Sequence, residues 1–409
     1  KANKKKSWHV AAHINTSKND IRDMTLLFPN WDSITNPLLV ANLQREGIDA
    51  RILEEDRTLI QQSMKLNNGQ CLPVSIIAQE AMEYVRRHEL DPANTAVWMA
   101  KAKLACNLPM YPYHIKSLFE AEGNGMEKLG VYVGEISHIE LSPKVSIQAY
   151  FAYMCGGLLR RMGCQIRPYE INRGETDRCI QRSHEELFSA FRGEIPLDKS
   201  MAAVMERFDA IPRRRQDSTP KVAIFGDLYV RDNTTLNQDL IHTIESAGGE
   251  VITTPYNEYA KIIAAAYFRK WFKEGQYMAW LKNRSLLKAI EMVERRFYSH
   301  FEAPFDEFNT LNNHETEELL NKFNIRVQHD GESMENILKI FHIIREHPDT
   351  ALFVQAVPSY CCPALITEAM NRDIERVTGI PVVSITYDGT GNPQNSRVIP
   401  YLAYRGAHT

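Results

Sequence analysis

Three places in this chain carry thiols where metal chemistry could occur. Cys71 stands in Asn68-Gly69-Gln70-Cys71-Leu72-Pro73, Cys106 in Ala105-Cys106-Asn107-Leu108-Pro109, and Cys361 and Cys362 in Pro358-Ser359-Tyr360-Cys361-Cys362-Pro363. Each is followed within three residues by a proline, which begins a helix without wasting an N–H donor and leaves neighbouring amides free. A thiolate at a helix N-terminus is electrostatically favoured, and free amides there can donate to the sulfurs of a metal-bound group. An iron–sulfur cluster suits this pattern. The alternative is packing, since free cysteine is among the most buried residue types. Zinc suits it less well, because the chain has no Cys-x-x-Cys pair and no histidine at finger spacing.

The remaining thiols read as packed residues. Cys155 lies inside the apolar run 151–157, Cys164 follows Gly163 at a helix end, and Cys179 falls in a charged helix. An odd total of seven, widely spaced, does not make a disulfide framework.

The elements that must position these thiols alternate between apolar strands and amphipathic helices. Residues 24–29, 50–53, 95–100 and 131–133 read as strands, and 36–46 and 74–88 as helices. That alternation predicts βαβ units on a parallel sheet, giving a first α/β lobe over 22–142 after a basic tail or linker at 1–21. Residues 143–216 read as a helical connector, with helices at 145–162, 177–191 and 199–208. Ile211-Pro212, the run Arg213-Arg214-Arg215 and Asp217-Ser218-Thr219-Pro220 mark a break.

A second α/β lobe follows over 217–409. It opens with the strand before Gly226-Asp227, then a helix at 236–247 ended by Gly248-Gly249, and a strand at 250–254. A helical insertion fills about 258–346. The lobe resumes with a strand at 351–356, a helix at 364–378 and a strand at 382–387. The expected fold is therefore α/β, with two doubly wound, flavodoxin- or Rossmann-like lobes joined by a helical connector. Ligands in open sheets bind beyond the carboxyl ends of strands. The Cys71, Cys106 and Cys361-Cys362 loops belong to such ends, so a cleft between the lobes is the expected place for a cluster.

Bulk properties narrow the partners. A formal net charge of −3 argues against a general polyanion binder, because nucleic-acid binding needs surplus Lys and Arg to release counterions. A solvated tail and a solvated linker account for Lys4-Lys5-Lys6 and the Arg213 run. No apolar run approaches the roughly 18 residues of a membrane span, and no apolar segment follows the Lys-rich start. The expectation is a soluble, cytoplasmic chain with reduced cysteines and no nucleic-acid or membrane partner. Its start at Lys1 fits a fragment, a processed chain or the downstream part of a longer polypeptide.

Four stretches in order then resemble one superfamily. They are the segment around Gly69-Gln70-Cys71-Leu72-Pro73, the stretch 100–113 with Cys106, the stretch 222–233 reading VAIFGDLYVRDN, and the C-terminal stretch with Cys361, Pro363 and Ser384-Ile385-Thr386-Tyr387-Asp388-Gly389-Thr390-Gly391-Asn392. Together they resemble the superfamily of 2-hydroxyacyl-CoA dehydratase subunits, benzoyl-CoA reductase subunits and double-cubane cluster proteins. The likeness is nearest to the activase-associated domain and spans about 24 to 403, least specifically in the middle helices. It implies a 4Fe–4S cluster, or an 8Fe–9S double cubane, on Cys71, Cys106 and Cys361, with Cys362 as an additional or replacing ligand. It also implies an ATP-dependent activase, separate or fused, as electron donor, and a homo-oligomer or a pairing with a related cluster subunit. A small-molecule substrate, an acyl-CoA among the candidates, would be the final acceptor. The activity implied is that of a dehydratase-like lyase or a low-potential reductase.

The chain itself has no Gly-x-x-x-x-Gly-Lys-Ser/Thr loop, so ATP falls to the partner. Two departures bear on substrate and anion chemistry. Asn107 and Pro109 follow Cys106 where the family commonly has Arg and Gly, and Ala364 stands where Gly is common. Ser359, Tyr360 and His114 are candidates for acting on a substrate, and Asp227 and Arg231 for contacting an anion or the domain interface. The loop 388–392 is Gly-rich without a dinucleotide fingerprint and reads as a tight turn. Two further readings stand beside the catalytic one: a relay or scaffold subunit that only passes electrons, and a metal-free two-lobed binding protein.

Overall fold

Short runs of Val, Ile, Leu and Phe that are buried on both faces make parallel strands, and two sheets form this way in the computed structural model, which describes residues 14–15, 21–102, 105–214, 219–298, 313–326 and 331–403. The first sheet holds β1 (Ile14–Asn15), β2 (Thr25–Phe28), β3 (Asp49–Ile52), β4 (Thr95–Ala100) and β5 (Gly130–Gly134), in the order β1-β5-β4-β2-β3. The second holds β6 (Lys221–Gly226), β7 (Glu250–Ile252), β8 (Thr350–Pro358) and β9 (Val382–Tyr387), in the order β7-β6-β8-β9. Every pairing is parallel.

Apart from the two-residue β1, the sheets share one wiring. The first strand of each lies inside, the second pairs on one side, and the third and fourth follow on the other. Strand order therefore reverses between β2 and β4 in one lobe and between β6 and β8 in the other. Crevices open at such switch points, beyond the carboxyl ends of the strands. The α/β class and the two doubly wound parallel sheets are as the sequence predicts.

The helix Leu72–Arg87 lies between the two cores. Pro73 occupies its first turn and Arg86 and Arg87 its last, which suits the helix dipole at both ends. Val74, Ile77, Ala78 and Ala81 join the core of the first lobe, while Leu72 and Ile76 join that of the second. The apolar helix Pro143–Ile166, buried throughout 151–160, packs against elements of both lobes. Its entry is capped by Ser142, whose Oγ accepts from the Val145 N–H at 3.1 Å. Gly156 and Gly157 let its backbone approach both neighbours. A Cβ at Gly156 would lie 2.2 Å from Thr35 Oγ1, and one at Gly157 would lie 2.4 Å from Pro255 Cβ.

Arg160 of the same helix ties the switch points together. Its guanidinium meets the Asp32 carboxylate twice, at 2.9 and 2.5 Å, and its Nε lies 3.7 Å from Asp232. Asp32 also caps the helix Thr35–Arg45 by accepting from the Ile34 and Thr35 amides. Arg231 completes the chain of charges, 3.0 Å from Asp232 and stacked on the rings of Tyr256 and Tyr259.

Several boundaries differ from the sequence reading. Ile14–Asn15, inside the stretch read as a tail, pairs with β5; the other residues of 1–20, with the Lys4 run, lie outside the described residues. So do Arg215, residues 217–218 of the break, and residues 299–312 and 327–330 of the insertion. The helix expected at 236–247 is confined to Leu240–Ser246, because Asn233 and Asn237 side chains accept from the Leu236 and Leu240 amides and hold a turn before it. The helix expected at 364–378 is two, Cys362–Ala369 and Asn371–Thr378. The helix Arg57–Ser63 is additional to the elements read from the sequence, and the helix start read after Cys106 continues as Tyr111–Glu122. Among the described residues no helix is long and apolar enough to cross a membrane.

Removing one partner of a buried ion pair strands the other, at a cost of about 3–5 kcal/mol. Arg160→Ala should lose stability of that order in urea unfolding. Despite its burial, Asp232 is held below the usual carboxylate range by Arg160 and Arg231. Its contribution is therefore present at neutral pH and is lost as pH falls through the lowered value, so the variant should lose less on acidification than the parent chain.

Candidate metal centre

Cys71, Cys106, Cys361 and Cys362 line one cleft, a space of about 960 Å³ counting its open mouth. Each thiol sits at or just before a helix start. Cys71 is the N-cap of Leu72–Arg87 and Cys361 the N-cap of Cys362–Ala369. Cys106 precedes the 3-10 turn Leu108–Met110 that runs into Tyr111–Glu122, and its sulfur accepts from the Leu108 N–H at 3.2 Å. Three helix N-termini thus face the cleft, and their partial positive charge favours thiolate or sulfide. The Cys71 and Cys361 loops are stitched together: the Leu72 N–H donates to Ser359 O at 3.2 Å, and the Ser359 N–H donates to Tyr387 O at 2.9 Å.

Two carboxyl groups join the thiols. Asp227 follows β6 directly, at the bend made by Gly226 with φ +118°. A Cβ on Gly226 would lie 2.4 Å from Ala356 O, so only glycine lets the strand turn here. The turn is held by the Asp227 N–H donating to Ala356 O at 3.0 Å. The Asp227 carboxylate accepts from the Tyr229 and Val230 amides at 2.9 and 3.1 Å, and its Oδ2 lies 4.0 Å from Cys361 Sγ. Glu332 opens the helix Glu332–Glu346 and accepts from the Leu228 N–H at 3.1 Å. Ligand atoms of Asp227, Glu332 and Cys361 all lie within 4.8 Å of one another.

The electrostatics are one-sided: no Lys, Arg or His is among the described residues that line the cleft. Burial pushes the Cys106 thiol up to about 12, and Glu332 and Asp227 add to the shift. The hydrogen bond with Cys71 and then burial push the Cys361 thiol up as well. Burial lifts Asp227 to about 6 against the pull of its two amides, and burial and then Asp227 hold Glu332 well above the usual carboxylate range. A nucleophilic cysteine needs the opposite, a depressed pKa. What this set of sulfur and oxygen donors lacks is a cation, and metal ligands ionise as the metal binds. The donor chemistry of Cys71, Cys106 and Cys361 therefore fits an iron–sulfur group.

The structure sorts the other candidates. Ser359 and Tyr360 adjoin Cys361 but do not line the cleft; Tyr360 is 53% exposed and sits at φ +63°. His114 lies on the exposed face of Tyr111–Glu122, away from the cleft. Arg231 is buried in the interlobe ion chain and donates to Thr254 O at 3.1 Å, so it serves the interface rather than an anion in the cleft. The loop 388–392 is a turn tied to the helix Arg57–Ser63 by Gln61 Nε2 donating to Thr390 O at 3.2 Å. Cys155, Cys164 and Cys179 are buried outside the cleft, and Cys155 donates to Met201 Sδ at 3.6 Å. Glu332 and the aromatic wall of Trp31, Trp98 and Tyr256 escaped the sequence reading. Nothing local marks Glu332, which comes from the stretch read as an insertion.

No protein-family model matches the chain, and a search of curated proteins finds no match.

In the metal-free chain at neutral pH, alkylation mapped by mass spectrometry should label the exposed Cys362 and spare Cys106 and Cys361, which are held as thiols. Addition of a soft divalent metal should release protons, read with a pH indicator.

Proposed function

We propose that this chain is the iron–sulfur component of an ATP-dependent low-potential reductase or dehydratase system, with a 4Fe–4S cluster, or a double cubane, on Cys71, Cys106 and Cys361. The observation that carries the reading is the convergence of those three thiols, from loops of both lobes, in one cleft with no basic side chain among its described lining residues. Bound there, the cluster would supply one-electron transfer at a potential tuned by hydrogen bonds to its sulfurs and by burial. An ATP-hydrolysing activase, separate or fused, is the electron donor, and the reducible small molecule is the acceptor. A reducing cytoplasm and a paired or homo-oligomeric assembly complete the proposal.

The chain's own residues have separable tasks. Leu108 N–H donates to the Cys106 sulfur, and Asn107 Nδ2 lies 3.6 Å from Cys362 Sγ, within reach of that fourth sulfur. Trp31, Trp98, Leu108 and Tyr256 make an apolar wall that limits water around the thiols. Asp227 and Glu332, both raised toward the neutral acid by burial, can hold a proton beside a reacting group.

Anaerobic purification with reconstitution tests the reading. Iron and acid-labile sulfide should be bound together, about four of each per chain for a single cubane and about eight iron to nine sulfide for a double cubane. Cys71→Ala, Cys106→Ala and Cys361→Ala should each abolish retention, while Cys179→Ala should leave it intact. Retention in all three variants would reject the ligand set. One metal per chain without sulfide would instead favour a mononuclear site on Cys361, Asp227 and Glu332.

A further inference from the structure

A second cavity shares no lining residue with the metal cleft. It encloses about 900 Å³ counting its open mouth, within the roughly 300–1,000 Å³ of small-molecule sites. Tyr387, the last residue of β9, lines it together with the turn after β6 and the helix Arg57–Ser63 of the first lobe. The space beyond the carboxyl ends of the strands is where open α/β sheets take ligands.

Its frame is held by side-chain amides. Gln238 grips the loop 388–395 with both ends of its carboxamide: Nε2 donates to Asn392 O at 2.8 Å, and Oε1 accepts from the Gln394 N–H at 2.9 Å. The buried Asn395 donates to Asn237 O and Gln238 O, both at 2.9 Å, and accepts from the Tyr387 hydroxyl at 2.7 Å. Gly391 lies at φ +80°, and a Cβ there would stand 2.5 Å from Gln61 Nε2, so glycine lets the loop close on the first lobe. These bonds leave a preformed cavity, with its polar groups divided in two. Gln238, Asn395 and Tyr387 serve the frame. Arg57, Thr235 and Ser396 line the cavity, and their side chains make no hydrogen bond or ion pair with any described residue.

Arg57 is the one charged residue among the described lining, which holds no Asp or Glu. A cation with no carboxylate beside it favours an anion, and a guanidinium fork matches a phosphate bidentately. The two hydroxyls can donate to or accept from hydroxyls of a ligand, and Ile60, Leu236 and Ile399 offer apolar contact to its carbon body. We propose that this cavity binds a small phosphate monoester with a hydroxyl-bearing body the size of a sugar, Arg57 taking the phosphate and Thr235 and Ser396 the hydroxyls. The site stands whatever the metal cleft holds. Its ligand joins the lobes, because Arg57 comes from the first and both hydroxyls from the second. The loop it touches also braces the metal centre: a Cβ on Gly389 would lie 3.4 Å from Leu72 Cδ1, and Leu72 adjoins Cys71.

The test is calorimetric titration of the full chain with ribose 5-phosphate, with ribose and inorganic phosphate as separate probes, and hydrogen exchange to place the binding. Ribose 5-phosphate should bind more tightly than either fragment and protect amides in 57–63 and 388–396. Arg57→Gln should weaken it by about ten- to a hundredfold, the worth of a charged hydrogen bond, and Thr235→Val by about two- to tenfold. Arg57 is exposed and pairs with no described residue, so Arg57→Gln should melt at the parent's temperature when no ligand is present. No binding, unchanged affinity in both variants, or protection elsewhere overturns the site. Equal affinity for inorganic phosphate overturns the ester as its ligand.

Discussion

The buried chain of charges from Asp32 through Arg160 and Asp232 to Arg231 is the interaction on which the arrangement depends. Asp32 belongs to the loop after β2, Arg160 to the bridging helix, and Asp232 and Arg231 to the loop after β6. Those two loops stand at the switch points of the two sheets. Coulombic attraction and bidentate geometry are strong where water is excluded, but they hold only if all four groups are in register. A displaced lobe would leave a bare charge in the core, so the network selects one mutual placement of the lobes rather than simply adding stability.

That placement creates the cleft. Once the switch points face each other, helix starts bearing Cys71, Cys106 and Cys361 converge, and Asp227 and Glu332 enter the same space. The surrounding wall is aromatic and aliphatic, which raises the cost of every charge inside. The Cys106 and Cys361 thiols and the Glu332 carboxyl then hold their protons unless a cation joins them. The apolar wall and the acidic donor set thus point to one demand, a positively charged or electron-deficient group that the donors can share.

Much of this was legible in the sequence because parallel strands buried on both faces are continuous apolar runs. Thr95–Ala100 and Val382–Tyr387 fall where their composition places them. The thiol loops were legible for a related reason, since each cysteine stands between a strand end and a proline that starts a helix. Side-chain hydrogen bonds that override propensity were not legible. Asn233 and Asn237 shorten the helix after β6, and nothing in the composition of 236–239 announces it. Pro109, read as a helix start, and Pro112 occupy permitted first-turn positions of Leu108–Met110 and Tyr111–Glu122. Long-range partners were the least legible. Glu332 reaches Leu228 from 104 residues away within the second lobe, and Asn233 meets Glu55 only because the two lobes dock.

The central claim is that the three thiols share one iron-bearing group at the paired switch points. Anomalous scattering at the iron edge from anaerobically grown crystals measures it most directly. The account predicts iron peaks inside the cleft, bonded to Cys71, Cys106 and Cys361. Cleft density without iron, or iron held by other residues, would contradict it.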